Sequence, residues 1–242
     1  MQSVTQTVIL AAGGGTRLRA VASAVPKPLM QVGGMPLIAH ALVHAHASGC
    51  DEAIIVLGYE GARVRAAIEA LPPPLDIRFT ESADPTAPNG VSLLAAEPWA
   101  RPQFFLQMAD HLFADRTLPK LVRVPLADGE EGRVLVDRDP HDLDLADATK
   151  VRRDGARVTA IGKGLEPWDA VDAGCFVLTS AIFDALRSAP IEVRTVSSGM
   201  RQLVARGTLG AVDLEGTPWV DIDTPADLAL AEALMSRTTN IA

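Results

Sequence analysis

The sequence predicts an α/β domain built on a mixed, mostly parallel sheet with helices on both faces and a small antiparallel subregion later in the chain. Three observations predict it. Apolar runs of strand length alternate with segments of helical spacing up to Asp110, the rhythm of a parallel sheet crossed by helices. The run at residues 8–10 opens at once into three glycines, as a buried strand does at its carboxyl end. From Gly132 onward, short and partly alternating runs replace that rhythm, with Asp154-Gly155 as a hairpin turn.

Taken in order, residues 7–10 form the first strand. Residues 35–50 have helical spacing, a proline near the start and Gly49 at the end. EAIIVLG (52–58) is a second buried strand, and EGARVRAAIEAL (60–71) is a helix stopped by three prolines. DIRFTE (76–81) is a third strand, SADPTAPNG (82–90) a loop and GVSLLAAEPW (90–99) a short helix. QFFLQMADH (103–111) is a buried strand ending in an acid. Strands follow at 132–140, 148–163 and 172–179, then helices at 180–188, 197–206 and 224–235, the last capped by Thr224 ahead of Pro225. Fraying is expected from Ser236.

The chain of 242 residues suits one domain, 1–242, with residues 1–112 mainly binding one ligand and 113–235 completing the site. A net charge of −8 gives no electrostatic support to nucleic-acid or anionic-membrane binding. Any anion must therefore meet a local cluster of cations. Cys50 and Cys175 lack CxxC spacing and fit a reduced, cytoplasmic protein. No stretch approaches the roughly 18 apolar residues of a membrane span.

In such sheets ligands bind beyond the carboxyl ends of the strands, which places residues 11–17, 81–90 and Asp110 on one rim. The glycine run is neither GxxxxGK[ST] nor GxGxxG, since Leu18 stands where the third glycine belongs. What remains is AAGGGTRL (11–18), then PKPL (26–29). Backbone N–H groups at Gly13, Gly14 and Gly15 can turn toward phosphate oxygens, with Arg17 a fork of donors and Lys27 a point charge. Asp110 ends a strand, and WVDIDTPADL (219–228) adds Asp221 and Asp223. Asp227 reads as a first-turn helix acid.

This combination resembles the nucleotidyltransferases that activate phosphorylated sugars, alcohols or amines with a nucleoside triphosphate. The resemblance implies a Rossmann-like, GT-A-like fold and Mg²⁺ held by Asp110 and Asp223, with Asp221 a less certain third ligand. Arg17 and Lys27 become the catalytic cations. Leu10, Ala11, Ala12, Gly13, Gly14, Gly15, Thr16, Glu81, Asn89, Gly90 and Ser92 become nucleotide contacts, with Gly90 in APNGVSLL (87–94) admitting the base to the backbone.

The second half resembles the inositol-1-phosphate cytidylyltransferases, through VDRDPHDLDLADATKV (136–151), DGARVTAIGKGL (154–165) and AVDAGCFVL (170–178). That implies Lys150 and Lys163 on the acceptor's phosphate and Asp144 or Asp172 on its hydroxyls, with CTP as donor. Hydroxyethylphosphonate, aminoethylphosphonate and phosphocholine stay open as acceptors, as does a silent nucleotide sensor. A homodimer also stays open. The chemistry explains the cations: unit charges about 4 Å apart repel by roughly 4 kcal/mol at an effective dielectric near 20, and two polyanions must meet. His40 and His44 have helical metal-pair spacing, but no HExxH glutamate or third ligand accompanies them, so they read as structural or exposed.

Overall fold

The computed structural model describes residues 4–19, 25–114, 118–141 and 143–239. Its strands are β1 (Gln6–Ala11), β2 (Gln31–Val32), β3 (Met35–Pro36), β4 (Glu52–Leu57), β5 (Asp76–Glu81), β6 (Gln103–Met108), β7 (His111–Phe113), β8 (Gly132–Asp137), β9 (Lys150–Asp154), β10 (Arg157–Gly162), β11 (Ala170–Thr179), β12 (Leu209–Asp213) and β13 (Trp219–Asp221). Its helices are α1 (Thr16–Arg19), α2 (Leu37–Ala47), α3 (Gly61–Glu69), α4 (Asn89–Leu94), α5 (Leu118–Arg123), α6 (Ala181–Arg187), α7 (Val196–Arg206) and α8 (Pro225–Thr239). α8 runs past Ser236, where fraying is expected from sequence, because Ala231 and its neighbours dock in a core.

Nine strands form one sheet in the order β5-β4-β1-β6-β11-β8-β12-β10-β9. β5, β4, β1 and β6 run parallel, so their carboxyl ends share a rim. β11 joins β6 antiparallel, and β9 and β10 form the expected hairpin around Asp154-Gly155. The antiparallel share therefore reaches into the centre of the sheet instead of staying in a small subregion. The physical reason is the length of β11, which pairs with β6, β8 and β9.

Both faces of the sheet are covered. Along β1, Ile9 and Ala11 pack with α2, α3 and α5, while Val8 and Leu10 pack with α4, α6 and α7. That explains a first strand without alternation. A third core joins Leu18 to Met30, Val32, Leu37, Leu112, Val220, Ile222 and Ala231. It ties the helix after the glycine loop to the C-terminal segment. Separately, β7 and β13 pair antiparallel with His111 opposite Asp221, and the Ile222 amide donates to the Asp110 carbonyl at 3.1 Å. Two acidic segments distant in sequence thus meet at the rim.

His40 and His44 are buried in α2: the His40 ring lies 2.9 Å from the Val32 carbonyl, and His44 packs edge-on to Phe113. Cys50 and Cys175 are buried free thiols. Among the described residues no helix is long and apolar enough to cross a membrane.

Candidate active site

β1 delivers the glycine loop to the rim, and Gly15 adopts φ +55°. A Cβ at Gly15 would lie 2.9 Å from Cβ of Lys27, so the missing side chain is what lets the lysine stem pass beneath the loop. The Lys27 ammonium then reaches two carboxylates, donating to Asp110 at 2.6 Å and Asp223 at 2.7 Å. Arg17 donates to Asp223 at 2.6 Å and to Asp147 at 3.2 Å. Asp223 itself is set by the start of α8: the Asp227 carboxylate accepts from the Asp223 and Thr224 amides, and Thr224 Oγ1 accepts from the Asp227 amide. That reciprocal cap fixes the chain entering the helix.

Burial disfavours the charge on Lys27, but Asp110 and Asp223 outweigh it and hold the ammonium above its ordinary range. Burial likewise pushes Asp110 upward, while Lys27 and His111 win and hold the carboxyl far below its usual value. Both groups are therefore charged at neutral pH.

His111 lies between Gly174 and Trp219. Its ring stacks on Trp219 with centroids 5.6 Å apart, and Trp219 Nε1 donates to Asp137 at 2.8 Å. Burial opposes the imidazolium, yet Asp221 and Asp110 raise its pKa to about 9, so Nδ1–H donates to Asp110 at 3.0 Å. Gly174 has φ +74°, and a Cβ there would come within 2.4 Å of the His111 ring. Gly174→Ala is accordingly expected to displace His111 and to destabilise the fold by about 1–3 kcal/mol through strain. A thermal melt beside a turnover assay checks this: an unshifted melt with full activity would show that the ring has room to move.

Two adjoining cavities open at this rim. The narrower, 260 Å³, is lined by Leu10, Ala11, Gly13, Gly15, Thr16, Lys27 and Asp110. The wider, 430 Å³, is lined by Asn89, Asp144, Lys163, Asp172 and Asp221, among others. Arg17 and Asp223 line both, so one ion pair stands between the two halves. Among the described residues, Asp110, His111 and Asp221 offer donor atoms within 4.8 Å of one another. Hard carboxylate oxygens there suit a divalent cation, and Lys27 already holds a positive charge between Asp110 and Asp223.

Several residues expected at the site serve the scaffold instead. A Cβ on Gly90 would lie 2.4 Å from the Arg194 carbonyl, so Gly90 is small to admit the segment before α7, and it lines neither cavity. Ser92 is buried and shares a 3.0 Å hydrogen bond with Ser82. Lys150 is buried and donates to the carbonyls of Leu145 at 2.6 Å and Lys163 at 2.7 Å. It ties a turn to the end of β10 and faces neither cavity. Glu81 is exposed on the outermost strand, outside both cavities. Ala12 is buried with its carbonyl bonded to the Tyr59 amide, and Gly14 lines neither cavity. Asn89 caps α7 by accepting from the Val196 amide at 2.9 Å, while also lining the wider cavity.

Sequence reasoning passed over Asp147, which pairs with both Arg17 and Lys163. Its only signal is membership of an acid-rich stretch, where nothing ranks one aspartate above another.

A family model described as the MobA-like NTP transferase domain matches residues 7–206. The chain belongs to that family. This MobA-like NTP transferase domain is 34% identical over 232 residues to the bifunctional IPC transferase and DIPP synthase of Rubrobacter xylanophilus, covering 94% of this chain and 51% of the relative. The protein of the same name from Archaeoglobus fulgidus is 35% identical over 234 residues, covering 96% and 44%. The chain thus spans about half the length of the curated relatives it matches. A solved structure described as the inositol-1-phosphate CTP transferase from T. maritima superposes with a TM-score of 0.88 at 24% identity, covering 98% of this chain and 97% of that one. It shares the fold. Asp221 and Asp223 fall outside the matched range, and the structure returns them to the MobA-like core through β13 and its pairing with β7.

Proposed function

We propose that this protein is a Mg²⁺-dependent cytidylyltransferase that transfers CMP from CTP to inositol-1-phosphate, giving CDP-inositol and pyrophosphate. The observation that carries the reading is the pair of adjoining cavities divided by Arg17 and Asp223, with Lys27 beside the division. Two anionic substrates placed in them would meet at shared cations. The names of the R. xylanophilus and A. fulgidus relatives support the acceptor. A cytoplasmic setting, where CTP is available, goes with this reading.

The triphosphate takes the narrower cavity, where the backbone of the glycine loop, Arg17 and Lys27 face it. Asp110 and Asp223, with Asp221 beside them, would hold Mg²⁺, which when bound neutralises the triphosphate and the departing pyrophosphate. A phosphate oxygen of the acceptor attacks the α-phosphorus in line. The new P–O bond forms as the bond to the bridging oxygen breaks, and the electron pair leaves with pyrophosphate. No protein nucleophile is required, since positioning and electrostatics supply the rate. In the wider cavity Lys163 faces the acceptor's phosphate, while Asp144 and Asp172 face its hydroxyls.

Burial pushes the Asp172 carboxyl up to about 6. Below that pH it is neutral; above it the carboxylate accepts more strongly from hydroxyls. The KM for the acceptor is expected to fall as pH rises through about 6, and part of that fall should vanish in Asp172→Asn. Because the acceptor's own phosphate also titrates near 6, the difference between the two profiles is the reading that counts. Superimposable profiles would remove Asp172 from acceptor recognition.

The decisive assay is pyrophosphate release with Mg²⁺ and CTP or UTP, across inositol-1-phosphate, hydroxyethylphosphonate, aminoethylphosphonate, phosphocholine and sugar-1-phosphates. Inositol-1-phosphate with CTP should stand far above the rest. Another dominant pair would replace this assignment.

A further inference from the structure

Asp147 occupies a peculiar place on the rim. Its carboxylate is shared by two cations from opposite sides of the cleft: Arg17 after the glycine loop, at 3.2 Å, and Lys163 beyond β10. All three side chains line the wider cavity. All three are also well exposed, at 56% for Arg17, 42% for Asp147 and 62% for Lys163. Exposed pairs of this kind contribute little to stability and exchange readily. A phosphate presents more oxygens and up to twice the charge, so it can outcompete one carboxylate for the guanidinium fork.

The backbone beneath is fixed, while the side chains are held by exposed ion pairs. The buried Lys150 ammonium holds the Leu145 and Lys163 carbonyls at 2.6 and 2.7 Å, setting the turn and the strand end at a constant separation. Within the turn, the Asp147 and Ala148 amides donate to the Asp144 carbonyl at 3.0 and 2.9 Å, and Asp144 Oδ1 accepts from the Ala146 amide at 2.9 Å. The turn therefore keeps its shape whichever way the Asp147 side chain points.

We propose that Asp147 is a surrogate anion: before substrate binds it takes the position of the acceptor's phosphate between Arg17 and Lys163, and the acceptor displaces it. This rests on reading the wider cavity as the acceptor side. The displaced carboxylate has no covalent role. It holds two cations at one anion, and it sets a threshold, since an uncharged alcohol cannot dislodge it. A neutral polyol is thereby excluded while its phosphate monoester is admitted.

The test is a calorimetric titration with inorganic phosphate at low salt, in the absence of nucleotide, on wild type, Asp147→Asn, Asp147→Ser and Lys163→Met. Removing the competing carboxylate should tighten phosphate binding roughly twofold to fivefold, the scale of one exposed ion pair, in both Asp147 variants. Lys163→Met should weaken it. Unchanged or weaker binding in folded Asp147 variants would overturn the proposal, and would mean that Asp147 contributes to the ligand directly. So would the absence of phosphate binding in all four proteins. The proposed function is read separately, by pyrophosphate release from CTP and inositol-1-phosphate with the same wild-type sample. A silent wild type beside tighter phosphate binding in both Asp147 variants would remove the acceptor's identity and leave the role of Asp147 standing.

Discussion

Lys27→Met lowers turnover by roughly 10²–10³-fold, the loss typical when one preorganised charge is removed from a developing anion. Methionine keeps the aliphatic stem against Gly15, so the loop above it stays packed. What disappears is the ammonium that Asp110 and Asp223 hold at 2.6 and 2.7 Å. Asp110 keeps His111 and Asp223 keeps Arg17, but the charge between the two carboxylates is gone. A divalent cation no longer competes with the ammonium for them, so Mn²⁺ binding without nucleotide, followed by electron paramagnetic resonance, becomes tighter even as turnover drops. Opposite movement of those two quantities is the signature. Near-wild-type turnover would remove Lys27 from the chemistry.

Asp110→Asn is expected to have a comparable effect through a different route. The Asp110 carboxylate accepts from Lys27 on one oxygen and from His111 on the other. An amide offers one acceptor oxygen, and its NH₂ group would point a donor at a donor. One cation is therefore released, and turnover is expected to fall by about 10³-fold, as Lys27 loses an anchor and the proposed metal site a charged ligand. The pKa of His111 should also fall from about 9, because Asp110 is one of the two carboxylates that raise it. An NMR titration of the His111 ring reads that shift directly. An unmoved ring would show that Asp221 alone carries the effect.

These two residues, with Arg17 and Asp223, were legible in the sequence because each sits where a strand ends or a helix begins. The parallel topology brings the ends of β1 and β6 to one rim, and the antiparallel β7–β13 pairing adds Asp223 to it. The residues that the structure sets to scaffold work share a different property: their partners are fixed by the fold and not by spacing in the sequence. Gly90 meets Arg194, and Lys150 holds Leu145 and Lys163, contacts that no local pattern announces. The stack of His111 on Trp219 depends on β7 pairing with β13, two strands of only three residues each. Strands so short leave almost no periodic signal. The depth of the antiparallel region was hidden similarly, since β11 reads as one apolar run whichever direction its neighbours take.

The core around Leu18 has a temporal consequence. Leu18 is delivered early in synthesis, but Val220, Ile222 and Ala231, which enclose it, arrive near the end. A nascent chain holding β1, the glycine loop and Asp110 still lacks Asp223, the anchor for both Arg17 and Lys27. Emerging from the ribosome, such a chain carries a lysine paired with Asp110 alone and a leucine packed only by Met30, Val32, Leu37 and Leu112. The two are satisfied in one event when the C-terminal helix docks. On the proposed function, the full set of cations and carboxylates around the nucleotide is therefore completed late and in one step.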